Sequence, residues 1–225
     1  MKKAFWIIIG YTGLVFISTI ILVFSFIFYD FNEQEVVKTK VLKELLQDDF
    51  RVVYLENGQI LIQPAKERMI AEVEYKKGEE IPELISKRKE DTLFIKLQGS
   101  GDALKTKVKI SLLFNDSINI VAKNNVLRLN DIKAAKCHIK GKKSTINFFT
   151  SCKLKHIDVF AQDSRIRCQI YGLERVNSTL DSSTLRLTYP IAYLQGNIKN
   201  HSYFSGRSER FNFQKDTSSQ IFIRN

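Results

Sequence analysis

Apolar residues in the second half of this chain recur as pairs split by one intervening residue, at steps of 18 to 20 residues. One column of pairs is Val108/Ile110, Leu127/Leu129, Ile146/Phe148, Ile166/Cys168 and Leu185/Leu187, with steps of 19, 19, 20 and 19. A second is Ile118/Ile120, Cys137/Ile139, Ile157/Val159, Val176/Ser178 and Leu194/Gly196. A third, of single residues 19 apart, is Ala135, Leu154, Leu173 and Ala192. Alternation of this kind marks a half-buried strand. One unit alone cannot bury its apolar side, but units stacked about 4.8 Å apart bury a continuous ladder per column. Polar clusters with turn composition separate the strands: Lys142-Lys143-Ser144, Gln162-Asp163-Ser164, Asp181-Ser182-Ser183, Asn200-His201-Ser202 and Thr217-Ser218-Ser219. The fold class is therefore all-β, with residues 100–225 forming a parallel β-helix (solenoid) of about six coils. A β-sandwich also supplies short strands, but has no reason to hold three columns in step over five periods.

The N-terminus imposes a second constraint. After a tail of three residues (1–3), residues 4–29 carry no charge, and 26 residues make roughly 39 Å of helix against a hydrocarbon core of about 30 Å. The run closes on Phe24-Ser25-Phe26-Ile27-Phe28-Tyr29 with no small-x-small cleavage site, so it reads as an uncleaved transmembrane anchor. With Lys2-Lys3 inside, the expected topology is single-pass, N-terminus cytoplasmic, with the C-terminal domain extracytoplasmic, in the bacterial periplasm or at the cell surface. Residues 30–50 read as a stalk, with Val36, Val37, Val41, Leu42, Leu45 and Leu46 at helical spacing. Residues 51–99 read as an N-terminal β cap region. In it Asn57-Gly58, between Val52–Leu55 and Gln59–Ile62, predicts a type I′ hairpin, and Ile81-Pro82-Glu83-Leu84 predicts a turn or short helix.

Charge is split along the chain. Residues 1–99 carry 14 Lys+Arg against 15 Asp+Glu, whereas residues 100–225 carry 21 against 9, so the whole net charge of +11 belongs to the distal part. Outward positions of the first column hold Lys109, Arg128, Asn147, Arg167 and Arg186, with Arg165 beside them. Like charges stacked about 5 Å apart repel unless they splay into water or an anion lies across them. Lys109, Arg128, Arg165, Arg167 and Arg186 are thus the candidate polyanion-binding residues, with anionic polysaccharide or lipid headgroups as the partner class. Nucleic acid is not expected outside the cytoplasm.

Asp91–Leu97 followed by Gly99-Ser100-Gly101-Asp102 and stacked β-coils resembles the bacterial auto-transporter adhesin head domain, the GIN domain family, over about residues 68–225. Unlike that family, this sequence does not repeat Gly-Ser-Gly-Asp in successive coils. The resemblance implies a bacterial cell-envelope β-helix with a binding role and brings no catalytic residues.

No catalytic, cofactor or metal constellation is read from the residues. His138, His156 and His201 are too far apart in sequence for a local metal motif. His138 and Asp158 are expected on neighbouring coils of the outer face with Asn119 and Asn177, a poor ligand set and a good solvated ladder. The outward carboxylates Asp158, Asp163, Glu174 and Asp181 do not share a column. Cys137 and Cys168 occupy inward positions as small buried side chains, and Cys152 is expected near an exposed corner. The functional expectation is a non-catalytic, adhesion-like binding module. The alternative is a structural protein that forms homo-oligomers through solenoid ends, where Tyr203, Phe204, Phe211, Phe213 and Phe222 concentrate.

Overall fold

A computed structural model of the chain describes residues 38–45, 50–76, 83–98, 107–113 and 116–224. The predicted tail, the anchor at 4–29 and the Gly99–Asp102 motif lie outside the described residues. Among those described, no helix is long and apolar enough to cross a membrane.

From Ser117 onward the chain winds as the repeat requires. A second-face strand leads round a tight corner into a first-face strand, and a third side returns the chain to the next coil. The second face is built of β8 (Ser117–Lys123), β10 (Lys133–Lys142), β12 (Lys153–Gln162), β14 (Arg175–Asp181) and the later parts of β15 (Thr184–Lys199) and β16 (Tyr203–Lys215). The first face holds β9 (Val126–Leu129), β11 (Thr145–Phe148), β13 (Arg165–Cys168), the starts of β15 and β16, and β17 (Gln220–Arg224). All pairings between these coils are parallel, with one register shift between β15 and β16 at Arg186/Pro190: Ile118, Cys137, Ile157, Val176 and Leu194 form one inward ladder, and Leu127, Ile146, Ile166 and Leu185 another. All nine side chains are buried, so the second predicted column stands as read and the first does from Leu127 onward.

The third column is shifted. β10 and β12 are offset by 20 residues, so Ala134, not Ala135, faces Leu154. Leu154, Leu173 and Ile191 are buried on this side, whereas Ala135 and Ala192 are exposed. Coil length varies by a residue on the third side, which a constant step of 19 cannot follow.

The N-terminal strands depart furthest from expectation. β2 (Val52–Glu56) and β3 (Gln59–Pro64) do not form a hairpin. β2 pairs in parallel with β8 and with β6 (Thr92–Gln98), and β3 pairs in parallel with β9 and with β7 (Lys107–Leu112). They are two sides of one coil, inserted between the β6–β7 and β8–β9 layers. Asn57 and Gly58 do adopt the positive φ expected of them (64° and 86°), but they turn a solenoid corner. Val108/Ile110 therefore stacks on Ile60/Ile62, which in turn stacks on Leu127/Leu129, and the apparent 19-residue step from 108 to 127 spans two layers. β4 (Ile70–Lys76) and β5 (Glu83–Lys89) run antiparallel against β7 and β6 and end the parallel stack on each face. β5 occupies part of the predicted turn, and Lys38–Glu44 is strand β1, where helical spacing suggested a stalk helix. β1 pairs with β4, and this tertiary partner overrides a helical pattern too short to stand alone.

The corners between the two faces explain the regularity. Asn124, Lys143, Asp163 and Ser182 each take a positive φ near 50°, and each donates its N–H to a carbonyl of the following coil. The next residue is buried, giving a ladder Asn125, Ser144, Ser164, Ser183, Ser202, Ser219. The Ser164 N–H donates to Ser183 Oγ (3.0 Å) and the Ser183 N–H to Ser202 Oγ (3.1 Å). Ser183 Oγ itself donates to the Asp181 carbonyl (2.7 Å). Serine is the small side chain that both accepts and donates here, so hydrogen bonding continues through the bend. At the last corner Asp216 accepts from the Asn200 N–H (2.6 Å) and is held at a pKa of about 2, chiefly by hydrogen bonding to Ser219 and then to Asn200.

Cys137, Cys152 and Cys168 are all buried, free thiols. For Cys152 this corrects the exposed corner expected of it: its Sγ donates to the Leu129 carbonyl (3.2 Å) inside the stack. Burial pushes all three thiols up, Cys168 to about 12.

Two outcomes follow for stability and reactivity. Ser183→Ala strands the buried Ser164 N–H and should lower stability by about 1 to 3 kcal/mol in thermal or urea unfolding. Ser182→Gly, at the neighbouring positive φ, should change it little. A thiol reagent should leave native protein unlabelled and modify all three cysteines after denaturation, because none presents an accessible thiolate. Rapid labelling of the native state would place at least one cysteine outside the core.

Candidate functional site

Since alternate residues face outward and the coils keep register, outward side chains line up in rows along the solenoid. On the first face the middle row reads Glu72, Lys109, Leu61, Arg128, Asn147, Arg167, Arg186 from β4 to β15. The sequence-predicted residues Lys109, Arg128, Arg167 and Arg186 thus share one row. Leu61 separates the first two and Asn147 the next two, and Arg167 and Arg186 alone are direct neighbours. Arg165 stands in the adjacent row between Thr145 and Thr184. Neutral spacers relieve most of the repulsion that an unbroken row would carry. The Arg186 guanidinium lies 5.7 Å from the Tyr203 ring centre, a cation–π contact that holds it against the surface.

Carboxylates on the first face, among the described residues, are confined to its antiparallel end strand β4, where Glu72 and Glu74 stand opposite Lys109 and Lys107. Among the described residues, the parallel strands of the first face carry Lys107, Lys109, Arg128, Arg165, Arg167, Arg186, Arg207 and Arg224 and no Asp or Glu. On the second face carboxylates do occur within the parallel strands, and neighbouring coils pair them: Glu56 meets Lys123 at 2.9 Å and Lys96 at 3.8 Å, and Asp181 meets Lys199 at 3.5 Å. Where Leu61 stands between Lys109 and Arg128, the first face opens into a groove of about 340 Å³, with Lys107, Glu74 and Phe149 also on its walls. Its apolar floor and cationic rim suit an anion that carries an apolar part.

The second face carries a different row: Asn119, His138, Asp158, Asn177, Gln195 and Asn212 on successive strands from β8 to β16. Its first four members are the outward ladder expected from the sequence, and their geometry is that of a structural clamp. Asp158 accepts from Asn177 Nδ2 (2.6 Å), and His138 Nδ1 (2.8 Å) and Lys136 Nζ (3.1 Å) converge on its other oxygen. Among the described residues, no group of three or more His, Cys, Asp or Glu converges as a metal site. The continuation to Gln195 and Asn212 was legible in principle, one step beyond Asn177 in the same outward position. A parallel row, Phe160, Thr179, Asn197 and Gln214, lies alongside, and between the two the surface forms a groove of about 460 Å³. Gly196 lines this groove and also lies close against the core. A Cβ there would meet the Ser178 carbonyl at 2.6 Å and the Phe213 ring at 2.6 Å, so no larger residue fits. Exposed aromatics occur at Phe160, at Tyr171 and, on the last coils, at Phe211 and Phe222.

No profile of a known protein family matches the sequence, and no curated protein matches it. Solved structures do. A crystal structure of a candidate adhesin from Bacteroides fragilis superposes with a TM-score of 0.56 at 9% identity, covering 83% of this chain and 97% of that one. A candidate lipid-binding protein from Parabacteroides distasonis matches with a TM-score of 0.43 at 11% identity, over 83% of this chain and 97% of that one. A candidate adhesin from the same species gives 0.41 at 8% identity, over 85% and 96%. The Bacteroides fragilis structure shows that this chain shares the fold of that protein.

Proposed function

We propose that the protein is a non-catalytic binding module of a bacterial envelope. In this reading residues 4–29 anchor it in a membrane and the first face of its solenoid takes up an anionic polymer or lipid headgroup. The observation that carries this reading is the segregation of charge. Every charged residue on the parallel strands of the first face is a cation, while the carboxylates of the second face are paired with cations from adjacent coils. Cations spaced one or two coils apart, about 5 to 10 Å, offer repeated contacts to an extended polyanion, and each contact adds modestly to a multivalent whole. The groove over Leu61 offers the same cations beside apolar surface, which accommodates the headgroup end of an anionic lipid. The fold shared with a candidate adhesin agrees with a binding role.

Binding of a polyanion such as a teichoic-acid-type or uronate polymer should weaken steeply with salt, as screening shortens the reach of each cation to about 8 Å at 0.15 M. Changing Arg128, Arg167 and Arg186 together to Gln should abolish it without loss of fold, since exposed arginines contribute little to stability. The triple change of Lys140, Lys142 and Lys143, which removes equal charge from the second face and its corner, should leave most binding in place. Equal losses in both variants would assign the effect to diffuse charge. For the anchor, protease added to intact spheroplasts should remove the domain beyond Asp30, and protection would reverse the topology.

A further inference from the structure

The groove on the second face has chemistry unlike that of the cationic first face. Its walls are neutral hydrogen-bonding side chains from successive coils: Asn177, Gln195 and Asn212 on one side, Thr179, Asn197 and Gln214 on the other. We infer that this groove binds an uncharged oligosaccharide laid along the solenoid axis. The inference does not depend on the polyanion reading, because the two sites are on different faces and differ in charge.

Three observations support it. First, carboxamides and a hydroxyl offer donors and acceptors in pairs, as sugar hydroxyls require, and they repeat every coil, as the rings of a glycan do. The rows cross four strands, roughly 14 Å at about 4.8 Å per strand. Second, the one carboxylate in the groove, Asp158, is already ion-paired with Lys136, with His138 Nδ1 2.8 Å from the same oxygen, so its charge is met within the protein. Its bond to Asn177 Nδ2 (2.6 Å) fixes that amide at the wall of the groove. Third, Phe160, 51% exposed, stands at the head of the second row, an apolar ring face of the kind against which a pyranose stacks. The inward residues beneath shrink from Val159 to Ser178 to Gly196, and the Phe213 ring of the next coil packs against Gly196.

The test is titration calorimetry of the full chain in detergent micelles. The probes are neutral oligosaccharides of two to eight residues: β-glucan, α-glucan, mannan and N-acetylglucosamine series. The expected result is saturable binding to at least one series, rising with length until the groove is filled and insensitive to salt between 0.05 and 0.5 M, about a threefold range of Debye length. Gln195→Ala with Asn197→Ala, both exposed and outside the core, should weaken it by about tenfold or more through lost hydrogen bonds. Phe160→Ala should weaken it separately. Arg167→Gln with Arg186→Gln should leave it unchanged while reducing polyanion binding, which separates failure of this inference from failure of the other. No saturable binding to any series, or equal binding by the Gln195/Asn197 double variant with unaltered circular dichroism, would overturn it.

Discussion

Every coil of this protein depends on its neighbours for its backbone hydrogen bonds. A parallel strand of four to ten residues has no partner within its own turn, so each N–H and C=O must be met by the coil before or after. The weak points of such a stack are its corners, where the chain bends and ladders ordinarily break. Here the positive-φ residues Asn124, Lys143, Asp163 and Ser182 keep their N–H groups aimed at the next coil, and the buried serines that follow continue the ladder with their hydroxyls. Left-handed backbone at a non-glycine residue costs roughly 1 kcal/mol. The hydrogen bonds gained at each corner offset it, and the register of both flanking strands is locked as a result.

That register is what turns a repeat into a surface. Once Ile157 must face Val176, Asp158 must stand beside Asn177, and the outward rows follow without further specification. A charge placed on one coil is therefore answered on the next. On the second face the answer is a carboxylate or an amide, as in the Lys136–His138–Asp158–Asn177 cluster. Among the parallel strands of the first face it is another cation or a neutral spacer, and a carboxylate answers only at the antiparallel end strand β4. The same scaffold thus carries two surfaces of different chemistry.

The N-terminal segment shows how the stack is ended. β2 and β3 supply a complete layer between β6–β7 and β8–β9, so residues 52–64 are covered on both sides by strands that follow them in sequence. The antiparallel β4 and β5 then close the two faces, because a strand running the opposite way cannot propagate the parallel corner. The exposed Phe211 and Phe222 mark the contrast on the last coils, where no such strand lies over them among the described residues.

The sequence by itself determined the coils from Ser117 to Arg224, their two main inward ladders and the cations of the first-face row. The reason is physical: in a strand the inward position recurs every second residue, and in a solenoid it recurs every coil, so burial is written as two superposed periods. It also determined the positive φ at Asn57-Gly58, since those residues tolerate a left-handed backbone wherever they are placed. Only the tertiary structure decided that this bend is a corner, because the same local conformation serves either purpose and the choice lies with the strands that come to pair with β2 and β3. It likewise decided that the partly buried Ala134 and the buried Ile191 face inward where Ala135 and Ala192 were expected, as coil length changes by a residue on the third side. The groove between the Asn177 and Thr179 rows is a tertiary property as well. Its lining side chains come from four different coils, which no single stretch of sequence brings together.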